Sequence, residues 1–205
     1  AVIYSHTHSG KKCEVEKVSD MPFCHGGEII RVGNVNYLFA ATVSWDKEEP
    51  SDWSQPGQVF LTIPDSPDWK NWKTCLLSDY IFQNHGIIKT ITGNKQAVCV
   101  SGREGIYSFI PDETGEVESV QLFDRAVSEF TFFELDRDGN NELITIEPFH
   151  GNSLNIYRNT TKGWEKVYDA SLSFGHGLSS GMLAGTPSIA VGNRSDKASL
   201  ELFTY

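Results

Sequence analysis

The chain has 205 residues and carries 17 Lys and Arg against 27 Asp and Glu, a net charge of −10. That length suits one domain with its own core and no need of disulfide staples, while the negative field disfavours nucleic acid and anionic membranes as partners. Hydrophobic residues make up 39% and aromatic residues 12%, with 18 Gly and 5 Trp, the profile of a globular, turn-rich β protein, and no apolar run approaches the roughly 20 residues of a membrane-spanning helix.

The first residues, Ala1 to His6, contain no basic region and no long apolar stretch, so no signal peptide is read there. Cys13, Cys24, Cys75 and Cys99 stand singly, without a CxxC pair. They are expected to be free, buried thiols, and zinc held by cysteine is disfavoured. Unpaired cysteines and the unread signal together give the expectation of a cytoplasmic protein. His6 and His8 form an HxH pair expected at the surface.

Internal similarity organises the rest. Residues 1–19 read as the third and fourth strands of a four-stranded unit, because Val2-Ile3-Tyr4-Ser5-His6 and Glu14-Val15-Glu16-Lys17-Val18 match Leu154-Asn155-Ile156-Tyr157-Arg158 and Trp164-Glu165-Lys166-Val167. A first whole unit over 20–79 has strands at Glu28–Val32, Tyr37–Val43, Gln58–Ile63 and Trp72–Leu77. The second, 80–122, has Ile87–Ile91, Ala97–Ser101, Ile106–Ile110 and Val117–Leu122, with Gly93-Asn94 as a hairpin turn. The third, 123–170, has Phe130–Leu135, Glu142–Glu147, Ser153–Arg158 and Trp164–Tyr168, and 171–205 supplies the first three strands of another. Helical periodicity is lacking throughout. Four short antiparallel strands per unit describe the blade of an all-β β-propeller. The whole chain is then a single propeller domain of about four to five blades, or part of a larger ring completed by missing blades or self-association.

The run Glu134-Leu135-Asp136-Arg137-Asp138-Gly139-Asn140-Asn141-Glu142 resembles the FG-GAP or VCBS type of propeller repeat. Ile146-Glu147-Pro148-Phe149-His150-Gly151 and the recurrent His-Gly pairs are similar to those of bacterial FG-GAP-like proteins related to the propeller of aldos-2-ulose dehydratase. The resemblance implies a propeller whose acidic hairpin holds calcium, here through Glu134, Asp136, Asp138 and Glu142, with Glu where Asp is usual at the first and ninth positions. It also implies lyase chemistry on a sugar.

The His-Gly pairs His25-Gly26, His85-Gly86 and His176-Gly177 begin successive units, and Glu129 holds the matching place in the third. First strands of a propeller line its channel, so His25, His85, His176 and Glu129 are expected to meet at one mouth as ligands of a Zn, Mn, Fe or Ni ion. Equivalent His residues that only pack and cap each blade are the plainer alternative. Arg103, Glu147, His150 and Arg194, from the corner between second and third strands, are expected on the same rim. Arg103 and Arg194 suit an anionic group on a ligand or a brace between blades, and Glu147 and His150 suit acid and base roles. The long corner from Ser44 to Gly57 offers Trp45 and Trp53 for stacking on a sugar or for plugging the loop, whereas Trp69 and Trp72 are expected to pack. The expected function is a metal-dependent lyase or dehydratase acting on a sugar or keto-sugar; the alternative is a carbohydrate- or protein-binding module.

Overall fold

The computed structural model describes residues 2–6, 13–64, 71–195 and 197–204. His8 and Trp69 lie outside these residues, as do the side chains of His6 and Cys13. Among the described residues there are seventeen strands, and no helix is long and apolar enough to cross a membrane.

Strands β1 (Val2–His6) and β2 (Cys13–Lys17) form an antiparallel pair of their own. Three four-stranded antiparallel sheets follow: β3 (Cys24–Val32) to β6 (Lys73–Ile81) through β4 (Val35–Thr42) and β5 (Gly57–Ile63), then β7 (Ile87–Thr92), β8 (Lys95–Gly102), β9 (Gly105–Pro111) and β10 (Val117–Phe123). The third holds β11 (Glu129–Phe133), β12 (Glu142–Glu147), β13 (Ser153–Thr160) and β14 (Gly163–Ser171). A three-stranded sheet closes the series with β15 (Gly175–Leu183), β16 (Thr186–Asn193) and β17 (Ser199–Thr204). The arrangement is a four-bladed β-propeller, as the repeat predicted. Inner strands β3, β7, β11 and β15 neighbour one another in that order.

Hydrophobic burial between blades holds the ring together. Ile30, Tyr37, Phe39, Val59 and Leu61 of the first blade pack with Val98, Val100 and Phe109 of the second. Cys99, Ile106 and Phe123 of the second pack with Phe130, Leu143 and Tyr157 of the third. Ile144, Ile146, Leu154 and Ile156 of the third pack with Ile189 and Val191 of the fourth. Side chains alternate across a strand, so Val98 and Val100 face one neighbour while Cys99 faces the other, and β8 becomes apolar on both faces. Tyr37 Oη donates to Asp112 O at 2.8 Å and Trp164 Nε1 to Leu122 O at 2.8 Å, adding polar ties across the first two interfaces. Outermost strands are mostly exposed, β14 above all.

The thiol expectation holds for Cys99, which is fully buried, but not for Cys24 and Cys75, which are free and exposed. Cys75 lies on the outermost strand of its blade, which has no further blade layer to cover it.

Two glycines separate conformational need from packing need. Gly93 has φ 55°, and a Cβ there would meet nothing within 4 Å; Gly105 has φ 122°, and its Cβ would lie 1.9 Å from Phe123 O. Gly93→Ala is expected to cost about 1 kcal/mol through backbone strain alone, whereas Gly105→Ala must also displace the β10 backbone. In paired urea melts Gly105→Ala should therefore lose at least twice as much stability as Gly93→Ala; equal losses would contradict the close approach.

Candidate metal centre at the channel mouth

The His-Gly pairs work through β-bulges. In the first blade Cys24 pairs with Thr42 and Gly26 with Ala41, leaving His25 as the extra residue; in the fourth Gly175 pairs with Asn193 and Gly177 with Gly192, leaving His176 extra. His85 and Gly86 make the same arrangement just before β7, where His85 N donates to Ser101 O at 3.0 Å and Ser101 N to Gly86 O at 2.9 Å. A bulge re-aims the extra side chain relative to the regular pleat, and here it brings the rings of His25 and His176 beside that of His85, at 4.0 and 5.2 Å between centroids. The third blade lacks the bulge: Glu129 pairs regularly with Ile146.

His85, His176 and His150 bring ligand-capable nitrogens within 4.8 Å of one another. His85 Nε2 and His150 Nε2 are 3.3 Å apart, and two nitrogens each about 2.05 Å from a tetrahedral ion stand about 3.3 Å apart. His150 comes from the corner between β12 and β13, where it adopts φ 48° and the adjacent Gly151 passes so near Glu147 O that a Cβ would lie 2.0 Å from it. Its ring stacks on His176 at 4.9 Å between centroids and on Phe149 at 3.9 Å.

Two of the expected ligands play different parts. His25 is exposed; its ring lies 4.0 Å from that of His85, and its Nδ1 is 3.2 Å from His85 O, a hydrogen bond that places the proton on Nδ1. It covers His85 and stands outside the converging group. Glu129 Oε1 lies 2.6 Å from His85 Nδ1, oblique to the ring N–H, so that this buried nitrogen has no aligned hydrogen-bond partner. The carboxylate still favours a proton on Nδ1 and a lone pair on Nε2, the relation that carboxylates bear to metal-ligating histidines. Without a bulge Glu129 reaches sideways to a ring instead of inward.

His150, His176 and His25 are biased toward the neutral form. Burial, with His85, His176 and Arg194 nearby, pushes His150 down to about 4. Burial followed by His85 and Arg194 lowers His176, and burial followed by His85 lowers His25. Neutral imidazole is the metal-binding form.

Glu147, expected as a base, is committed elsewhere: Oε1 accepts from Thr145 Oγ1 at 2.5 Å and Oε2 from Tyr157 Oη at 3.1 Å, with Arg125 Nη1 donating to the same phenol at 3.3 Å. Burial and Glu147 push the Tyr157 phenol up to about 12, so it remains a donor. Arg103 braces its own blade, with Nε 3.2 Å from Glu104 Oε1 and its guanidinium 3.9 Å over the Phe82 ring. Arg194 instead reaches the site, with Nη1 3.4 Å from His176 Nε2.

The long corner between β4 and β5 is tied at its base by Trp45 N to Pro56 O, 2.8 Å, and Ser44 Oγ to Gln55 O, 3.2 Å. It carries Trp53 edge-on to Phe149 at 4.7 Å, with Lys47 Nζ 3.0 Å from the Trp53 ring centre. Trp45 is exposed. Trp72 is half-buried.

At the hairpin joining β11 to β12, Glu134, Asp136 and Asp138 come within 4.8 Å of one another through their oxygens. Glu142 is buried; its Oε2 accepts from Leu135 N at 2.8 Å, and its Oε1 lies 3.7 Å from Arg158 Nε. Arg158 also pairs with Asp136. A guanidinium thus supplies the positive charge among the carboxylates expected to hold calcium.

His150 belongs with His85 and His176 as a ligand candidate, which spacing concealed because it arises from a corner rather than a His-Gly bulge. One recurrence does mark the site: Phe23, Phe82 and Phe174 each stand two or three residues before a His-Gly pair, and their carbonyls accept from Val43 N, Arg103 N and Arg194 N across the blade.

The depressed His150 pKa carries a sign. Its folded value lies below the ordinary value of about 6.5, so the unfolded chain binds more protons between the two, and the contribution is complete above pH 6.5 and lost as pH falls toward 4. Metal-free protein should lose less stability between pH 7 and 4.5 after His150→Gln than the wild type does, read from urea midpoints; parallel curves would contradict a buried neutral ring.

No family model matches the chain, and no curated protein matches it.

Proposed function

We propose that the chain is a metal-dependent enzyme whose active site is the channel mouth, with His85, His150 and His176 holding one divalent ion of the Zn, Mn, Fe or Ni kind. The observation that carries this reading is the convergence of three imidazoles, one of them backed by the Glu129 carboxylate. Three protein ligands leave a position for a substrate oxygen, and an ion there supplies polarisation of a carbonyl or acidification of water.

The chain's residues supply the rest. Glu129 keeps the His85 lone pair directed inward, and Trp53 with Phe149 offers an aromatic wall against which the apolar face of a sugar ring packs. Because its Nδ1–H is engaged by His85 O, His25 presents Nε2 as a proton acceptor and takes the base role expected of Glu147. On a keto-sugar these parts suit removal of a proton beside the carbonyl with loss of water, the carbon–oxygen lyase chemistry that the resemblance to FG-GAP-like propellers implies.

The alternative is a carbohydrate-binding propeller in which the ion only braces the mouth, and the engagement of both Glu147 oxygens favours it. Untagged protein should retain one equivalent of transition metal by elemental analysis. A His85→Ala, His176→Ala double variant should lose it while keeping the wild-type circular dichroism spectrum. Turnover of a 2-keto-sugar that disappears with the metal supports the enzyme; metal and sugar binding without turnover leaves the binding module; no metal in the wild type overturns both forms of the metal centre.

A further inference from the structure

Two arginines occupy equivalent corners after the second strand of their blades, and of the two only Arg103 has a carboxylate partner among the described residues. Arg103 N donates to Phe82 O and Arg194 N to Phe174 O, both at 2.8 Å, so the backbones match. Arg103 then turns to Glu104 and the Phe82 ring. Arg194 is exposed, forms no ion pair among the described residues, and makes its side-chain contact to His176.

A guanidinium has donors only, so His176 Nε2 is the acceptor in that contact and carries a lone pair. The same lone pair is what a metal ion requires. The two uses exclude one another: an ion that takes His176 Nε2 frees the Arg194 fork, still anchored at the rim by its backbone. Glu129 supplies one negative charge beside His85, which does not balance a divalent ion together with a guanidinium. Among the described residues no carboxylate pairs with the freed Arg194 fork, which is left to meet a ligand.

We infer that Arg194 and the histidine group form a site that prefers a carboxylate-bearing ligand, a hydroxy or keto sugar acid, over the neutral sugar. One carboxylate oxygen and the adjacent hydroxyl or keto oxygen meet the ion, and Arg194 takes the carboxylate through its planar fork, a geometry that lysine does not reproduce. The inference narrows the substrate of the proposed metal centre and rests on that reading for the ion.

Glycolate and its neutral analogue glycolamide are the probes, titrated into the full chain loaded with cobalt(II) and followed by visible absorption. Glycolate should bind wild type and Arg103→Gln alike, at least tenfold more weakly to Arg194→Gln, and with intermediate affinity to Arg194→Lys; glycolamide should bind all four equally and weakly. Cobalt itself should bind Arg194→Gln at least as tightly as wild type, since a competing donor and a like charge are gone, and a purely structural role would not give these opposite signs. Equal glycolate affinity in wild type and Arg194→Gln, or glycolamide as tight as glycolate, overturns the inference and leaves the metal centre standing. If wild type binds no cobalt, the metal centre falls, and histidine ring signals in the NMR spectrum of the metal-free chain decide the anion site. A glycolate-induced shift abolished in Arg194→Gln sustains it, and no shift overturns it.

Discussion

The structure depends on each blade burying both faces of its middle strands against its neighbours. β8 and β12 have no solvent face to spare: Val98 and Val100 pack toward the first blade, Cys99 and Leu143 into the interface of the second and third, and Ile144 and Ile146 toward the fourth. Such strands resist shifts of register, because a slip of one residue would exchange the two neighbours they serve. Their rigidity carries over to the inner strands hydrogen-bonded to them, and it makes a one-residue bulge at a fixed position a reliable means of aiming a side chain. The histidines converge because the apolar interfaces do.

Convergence has an electrostatic cost that the local environment offsets. Protonated imidazoles in mutual contact repel and are half-desolvated, so the charged forms are disfavoured and the lone pairs stay available. The nearest carboxylate, Glu129, faces the far nitrogen of His85 and polarises the ring without occupying the space between the rings. Arg194 adds positive potential from the rim and further disfavours protonation of His150 and His176. A group of imidazole donors, with Arg194 at its edge, differs from the acidic hairpin on β11–β12, where Arg158 already lies between Asp136 and Glu142.

Much of this was legible in the sequence. Alternation and Gly-Asn turns mark the strands because period two and positive φ are local properties: Gly93 and Asn94 have φ 55° and 66° at the hairpin tip. The His-Gly recurrence marks the bulges. It does not show which nitrogens meet, since one blade lacks the bulge and its Glu129, at the position equivalent to the histidines, is set in the regular pleat and turns toward His85. His150 was read as an acid or base because nothing along the chain shows that a left-handed corner swings its ring over His176. Glu147 was read as a base because its partners Thr145 and Tyr157 lie on the same sheet, two and ten residues away, a relation set by pairing and not by motif.

Arg103 and Arg194 show how a repeat separates structure from function. The backbone bond to a Phe carbonyl is common to both, so it belongs to the architecture. What differs is the next residue along: Glu104 follows Arg103 and neutralises it, whereas Ser195 follows Arg194. Glu104 also holds its own corner, where its Oε2 accepts from Phe82 N at 2.8 Å, whereas in the fourth blade Phe174 N donates to Asn193 Oδ1 at 3.3 Å, so that corner is held without a carboxylate. Arg194 has no carboxylate partner among the described residues, and the corner does not depend on one. The guanidinium stands at a corner where it contacts His176, and there its positive charge acts on whatever approaches the histidine group.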